Sequence, residues 1–520
     1  MNQTAKERLQ LFLDCLANSE DVKKYSMWNL IAHIVGAFIT WAYCNMPGLE
    51  AYAAFGVLSL LVCEAVVLYG CYQGADKPTI VAIMGIHLSG VIVQSVFQAE
   101  SAGIRTAEWG MIIFGSIATL LCMLVLHKVR VGKGKPEVLC IGSIVATVGF
   151  LGLACLFGRG AGTGNWQQIF GMSVQITEFV KLFAILSLGL LYLTKWNEWL
   201  KFALATVFVG ACAAALAYIN EMGFLMVICA VYFVIVCMYS GNWIRVTAVI
   251  AAIAVLAFLY HEYSYVDKLA YQWECYNECL HEVKVDEKTT IETKYIKDAS
   301  VCDNCQTGKL RYRPSFVCER CYFRKFKPIT EKEKVEKVVD GETKLVYPCD
   351  ICYYDSKLQD DTFGKLRIKL FQRFSVLFNY NQIKYEDSAR QVRQGQEEAI
   401  LSGWFGNRVK SPNIINMKND SVVVGICGYM GFIAVMVVLL LYYMFFLSIR
   451  KARSPVKAAL ILSMSVQALL TTAGNFNLFA LTGVGIPLIS SGGTGYLISL
   501  ITVFLILTRD NRFPNGGETC

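Results

Sequence analysis

Eight cysteines stand in four close pairs: Cys275-x3-Cys279, Cys302-x2-Cys305, Cys318-x2-Cys321 and Cys349-x2-Cys352. As thiolates, two such knuckles present four sulfurs tetrahedrally to a Zn2+ ion. The C-x2-C-x12-C-x2-C run from Cys302 to Cys321 is close to a zinc-ribbon spacing. The outer pairs would close a second site of the same kind. Oxidised, the same residues would instead form four disulfides, as an extracytoplasmic setting favours. The paired spacing makes structural zinc the preferred reading, with a redox role for the C-x2-C pairs a weaker third. The remaining cysteines fall mainly in apolar stretches, where a thiol packs as a small hydrophobe.

A second set of reactive residues sits inside apolar stretches. These are His33, Glu64, His87, Glu178, Lys181 and Glu221. Ionisable groups at membrane depth are costly, so each is a candidate for function. Glu178 and Lys181 are three apart, which puts them on one helix face where they can pair. Function and a structural ion pair fit them equally. For His33 and His87 a hydrogen bond between helices is the plainer account.

These residues need a frame, and the composition supplies it. Hydrophobic residues make up 55% of the chain and charged ones only 17%, with mean hydropathy +0.46. Such values exclude a disordered chain and fit poorly with a soluble one. Crossing the hydrocarbon takes roughly 20 apolar residues in a helix. Stretches of that kind start near Trp28, Ala51, Pro78, Glu108, Glu137, Gln175, Trp199, Met222, Ile244, Ser421, Pro455 and Pro487. The expected fold is therefore an all-α polytopic membrane protein with about twelve transmembrane helices. A small zinc-ribbon-like insertion would lie outside the bilayer.

Lys and Arg in the short loops set the orientation. Lys23 and Lys24 precede the first span, and Lys128, Arg130, Lys133 and Lys135 follow the fourth. Arg450, Lys451, Arg453 and Lys457 lie between the tenth and eleventh, and Arg509 follows the last. The opposite short loops hold little more than Arg105 and Arg159. Both termini are expected in the cytoplasm, and the long loop 262–420 outside. Residues 5–24 read as a surface-lying amphipathic helix or as a polar tail, and no cleavable signal is evident. Net charge +8 reflects the loops. No basic patch with interleaved aromatics points to nucleic acid.

The expected organisation has residues 1–27 as a cytoplasmic N-terminus, 28–135 as four spans and 136–262 as spans five to nine. The cysteine-rich insertion then takes 263–362 and an extracytoplasmic loop 363–420. The last three spans and a cytoplasmic C-terminus fill 421–520. The gly-rich run 483–495 cannot be a smooth helix, and irregular backbone at membrane depth must be buried in protein or line a wet cavity.

Against this frame, NWQQIFGMSVQITEFVKL at 165–182 resembles the SEDS family of cell-wall polymerases, the FtsW/RodA/SpoVE group. The family reads roughly R-W-I-x-L-G-x-x-x-x-Q-P-S-E-F-x-K-L there. Trp166, Gln175, Glu178, Phe179, Lys181 and Leu182 match, and Ile176-Thr177 replace Pro-Ser. Further blocks follow in the family's order. Asn220-Glu221-Met222-Gly223 is similar to P-D-x-G, and Arg367-Ile368-Lys369-Leu370-Phe371 to R-I-x-x-F. Gln391, Gln394, Ala399, Ser402, Gly403 and Gly406 resemble the stretch leading to S-G-x-x-x-G, with a one-residue gap. The block from Asn419-Asp420-Ser421 to Gly431 is similar to one opening H-T-D. Finally TGVGIPLISSGGTG keeps Thr482, Gly483, Ser490, Gly492 and Gly493 at the family spacing. The resemblance covers about 158–508 and implies a ten-helix core preceded by two extra spans.

The resemblance implies a bacterial plasma-membrane glycosyltransferase. Such enzymes polymerise peptidoglycan strands from lipid II, a disaccharide-pentapeptide on undecaprenyl pyrophosphate, in division, elongation or sporulation. They work with a class B penicillin-binding protein transpeptidase. The acceptor hydroxyl attacks the donor's anomeric carbon, pyrophosphate leaves and the configuration inverts. That step needs a base and cations at the leaving group. Asp420 matches the family's exterior Asp and takes the base role; without the match it reads as a helix cap. Substrate binding is carried over to Trp166, Gln175, Glu178, Lys181, Arg367, Lys418, Ser490, Gly492 and Gly493. Arg373 and Arg393 are further loop cations. Whether a divalent cation assists at the pyrophosphate stays open. The insertion is expected to dock a partner or to lid the groove.

Several family positions have changed. Gly428 and Tyr429 replace the acidic pair after the Asp, Lys418-Asn419 replace His-Thr, and Ser491 and Thr494 stand for a Tyr and a Ser. Two other readings remain: a flippase of lipid-linked precursors, which many spans, buried charges and a broken late helix also suit but for which no internal repeat is seen, and an inactive scaffold, to which the lost acidic pair points.

Overall fold

A helix rises about 1.5 Å per residue, so the 53 residues of α1 (Glu20–Tyr72) would span roughly 80 Å if straight, over twice the hydrocarbon thickness. The run instead breaks at Asn45 (φ 54, ψ −142), two residues before Pro47, and folds back as two spans. Ser19 caps its start, accepting from the Val22 amide at 3.3 Å. The computed structural model describes residues 19–99, 135–157, 166–169, 172–219, 221–252, 335–339, 342–346, 376–377, 387–406, 417–452, 454–481 and 483–508.

α2 (Lys77–Ala99) lies against both arms of α1 and against α10 (Phe432–Leu447). α3 (Pro136–Phe157) packs on α4 (Ile176–Leu191), and the two are joined through the hairpin β1 (Trp166–Ile169) and β2 (Met172–Gln175). α5 (Glu198–Tyr218), α6 (Met222–Tyr239) and α7 (Trp243–Ala252) follow. After the hairpin β3 (Val335–Val339) and β4 (Glu342–Val346) come α8 (Asp387–Ser402) and α9 (Val422–Met430). α10, α11 (Pro455–Asn475) and α12 (Gly493–Leu507) complete the chain's described helices.

The chain separates into two compact units, Met1–Val249 with Gln391–Cys520, and Ile250–Arg390. In the first, α4 and α11 are buried along most of their length and form the centre with α2, α6 and α12. Outward faces carry Ile34, Phe38, Val145, Val207 and Leu440 exposed. A soluble protein rarely leaves apolar surface on that scale uncovered, whereas a bilayer covers it at no cost. Seven helical stretches among the described residues are long and apolar enough to cross a membrane, with shorter apolar helices besides. The protein is thus an all-α polytopic membrane protein.

Two span boundaries differ from expectation. The tenth span, expected from Ser421, is two helices. Gly431, at φ 83, separates the fully buried α9 from α10, and a Cβ there would come within 2.2 Å of the Trp404 carbonyl. Only glycine suits both that backbone and that approach. The last span, expected near Pro487, starts at Gly493, because the described backbone over 476–481 and 483–492 is irregular and includes Asn477 (φ 56) and Leu488 (φ 62). The fourth expected span lies outside the described residues, as do the eight paired cysteines, Arg367 and Arg373. Nine described cysteines are free thiols on helices, with Cys63, Cys140, Cys212 and Cys427 buried.

Candidate functional site

Several residues carried over from the resemblance come together at one end of the bundle, where α2, α4 and α10 through α12 present their loop ends. Asp420 lies in the turn before α9 and is half-buried. Its carbonyl accepts from Asn475 Nδ2 at 2.7 Å, and Asn475 Oδ1 accepts from the Val424 amide at 3.4 Å. One side chain at the end of α11 thereby pins both sides of the turn. Gln391 of α8 holds the next residue, donating to Ser421 Oγ at 2.7 Å.

The same turn is tied to the irregular segment before α12. Ser491 donates its amide to the Lys418 carbonyl at 3.0 Å and its hydroxyl to Asn419 Oδ1 at 2.7 Å. Ser490 Oγ donates to the Asn419 carbonyl at 3.1 Å and accepts from the Ile486 amide at 2.8 Å. Gln94 of α2 donates to the Ile489 carbonyl at 2.7 Å and faces the Lys418 carbonyl at 3.4 Å. Gly90, one turn away, lets α2 approach: a Cβ there would meet the Leu488 carbonyl at 2.1 Å. Lys418, Asn419, Asp420, Ser490 and Ser491 thus form one stitched unit. Gly492 and Gly493 open α12 directly beside it.

That unit borders a cavity of about 80 Å³ between α1, α2 and the start of α12. Phe55, Val91 and Ile489 form its apolar wall, and Gln94, Ser490 and Ser491 its polar rim. Space of that size holds several waters.

Glu178 and Lys181 form a buried ion pair of 2.6 Å. Lys181 also donates to Gln467 Oε1 of α11 at 2.9 Å and lies 5.1 Å from the Phe224 ring centroid. Gln467 in turn donates to the Gly485 carbonyl at 2.8 Å, and Thr471 to the Val484 carbonyl at 2.7 Å. The pair therefore grips the irregular segment through α11. Gln175 joins the same region from α4's start, its amide donating to Thr494 Oγ1 at 3.1 Å. Trp166 pairs with Gln175 across the β1–β2 hairpin.

Of the carried-over site residues, Lys418, Asp420, Ser490, Gly492 and Gly493 converge in one place. Gln175, Glu178 and Lys181 stand behind the late segment and brace it. Sequence reading missed Gln94, Gln467 and Asn475. Neutral amides within spans have no spacing signature; their burden of hydrogen bonds at membrane depth is the one available signal. Among the described residues no group of three or more His, Cys, Asp or Glu is arranged to hold a metal ion.

No protein-family profile and no curated protein matches this chain. Solved structures do. One chain, from work described as "Structural coordination of polymerization and crosslinking by a peptidoglycan synthase complex", superimposes with a TM-score of 0.51 at 13% identity. The match covers 83% of this chain and 96% of that one. At that identity the likeness establishes the fold.

Proposed function

We propose that the protein is a peptidoglycan glycosyltransferase that polymerises lipid II, with Asp420 as the base. The observation carrying this reading is a coincidence of two kinds. The fold is similar to that of a chain in a peptidoglycan synthase complex. Within it, the turn that carries Asp420, the residue matching the SEDS exterior Asp, is held by hydrogen bonds to Asn475 and to Ser490 and Ser491 on the polar rim of a cavity. The described basic residues Lys77 and Lys451 lie at the other end, paired with Asp21 and Asp76. Under the positive-inside rule that end is cytoplasmic, and Asp420 faces outward, where a lipid-borne sugar is presented.

In the reaction, the acceptor's sugar oxygen forms a bond to the donor's anomeric carbon while the bond to pyrophosphate breaks. Asp420 takes the hydroxyl proton, and Lys418 supplies positive charge to the leaving pyrophosphate, a role the resemblance also gives to Arg367, which lies outside the described residues. Hydrogen bonds from Asn475, Ser490 and Ser491 hold the turn's backbone, so the carboxylate keeps its place without reorganisation. Glu178 and Lys181 act as positioning residues that set the 483–492 backbone. The zinc knuckles of the insertion, and a transpeptidase partner of the penicillin-binding class, belong to the same reading. Purified protein given lipid II should form glycan strands visible by gel electrophoresis. Transbilayer movement of lipid II without polymer would instead identify a flippase, and neither activity a scaffold.

A further inference from the structure

His33, Ser59, His87 and Tyr496 have no role in the glycosyl transfer as proposed, yet they form a continuous chain through α1, α2 and α12. His87 Nε2 lies 2.6 Å from Tyr496 Oη, and its Nδ1 3.1 Å from Ser59 Oγ. Ser59 Oγ lies 3.0 Å from His33 Nε2, and His33 Nδ1 2.9 Å from the Asn29 carbonyl. Asn29 Nδ2 donates to Glu64 Oε2 at 3.1 Å, and Ser26 donates to the other carboxylate oxygen. Cys63 Sγ, 3.5 Å from His87 Nδ1, is the further ionisable neighbour.

The donor directions are determined. A carbonyl can only accept, so His33 Nδ1 carries its proton and the neutral ring's Nε2 accepts from Ser59. Ser59 has one hydrogen, so it accepts from His87 Nδ1–H. His87 Nε2 then accepts from the Tyr496 hydroxyl. All four hydrogens point the same way, from Tyr496 toward Asn29. The two ends also meet accessible space. Tyr496, His87 and Ser59 line the cavity, whereas Ser26 and Glu64 are half-exposed and lie toward the basic end. Ser26 is six residues from the start of α1, about 9 Å. Hydrogen bonds serving only to join helices need neither a common direction nor two open ends.

We propose that these residues form a proton path between the cavity and Glu64. A hydronium ion in the cavity gives its proton to Tyr496 Oη as Tyr496 passes its own to His87 Nε2. His87 Nδ1–H moves to Ser59, whose hydrogen moves to His33 Nε2, leaving His33 as the imidazolium. His33 turns from the Asn29 carbonyl to release the proton to the Glu64 carboxylate. The path is separate from the proposed glycosyl transfer and amounts to a proton-conducting function of its own.

The test uses full-length protein in vesicles with trapped pyranine, a potassium gradient and valinomycin, and no glycan substrate, so its outcome is separate from the polymerase reading. Wild type should carry protons faster than protein-free vesicles. Ser59→Ala and the near-isosteric Glu64→Gln should each lose the protein-dependent rate by about tenfold or more, as one broken link requires. Ser59→Thr, which keeps the hydroxyl, should hold most of it. Wild type at the protein-free rate overturns the proposal. So does Ser59→Ala at the wild-type rate, or Ser59→Thr as slow as Ser59→Ala. Glu64→Gln carries the test should Ser59→Ala fail to fold.

Discussion

Replacing Lys181 by Met removes one charge from a pair in which both side chains are under one-tenth exposed. Three interactions are lost, and their sizes differ. The hydrogen bond to Gln467 is worth about 0.6 kcal/mol by the average for membrane helices. The cation–π contact with Phe224 adds about 0.5–2 kcal/mol. The dominant loss is the Glu178 carboxylate left buried and uncompensated, at about 3–5 kcal/mol. Lys181→Met should therefore destabilise the protein by at least about 3 kcal/mol. The double replacement Glu178→Leu with Lys181→Met removes both charges, and should return stability to within about 1 kcal/mol of wild type. Reversible unfolding by SDS titration in mixed micelles, followed by far-ultraviolet circular dichroism, measures both. A single variant within about 0.5 kcal/mol of wild type would refute the burial argument, because a solvated pair behaves that way. The double variant should still lose glycan synthesis, because Gln467 then holds Gly485 without a partner of its own.

Two other expectations concern the turn and the insertion. Asn475→Leu removes the donor to the Asp420 carbonyl and the acceptor of the Val424 amide, and should cost about 1–3 kcal/mol; strand synthesis should fall more steeply than the folded fraction, as read by gel assay alongside size-exclusion chromatography. Metal analysis of purified protein should find about two zinc ions per chain, with the eight paired cysteines protected from thiol reagents until a chelator is added; metal-free protein with four disulfides would reverse that reading.

Much of the frame was legible in the residues, since apolar length alone marks a span. Pairing of Glu178 with Lys181 followed from their spacing on one helix face. The helix breaks were harder. Gly431 is one glycine in an apolar run, and its need for φ 83 arises from the Trp404 carbonyl crossing beside it. The start of α12 depends on Ser490 and Ser491 bonding Asn419, some seventy residues earlier. No local pattern encodes such a contact. The histidines were expected to join helices, and they do; that their hydrogen bonds run in one direction needed the partners' positions. Asp420 itself is unremarkable by type and spacing, and only the family resemblance drew attention to it.

Asp420→Asn keeps the shape of the side chain and the carbonyl that Asn475 grips, but removes the proton acceptor. The rate of strand formation from lipid II by this variant, in protein shown to be folded, tests the polymerase reading most directly. A loss of about a hundredfold to ten-thousandfold is expected for a missing general base, and strands formed at the wild-type rate would contradict it.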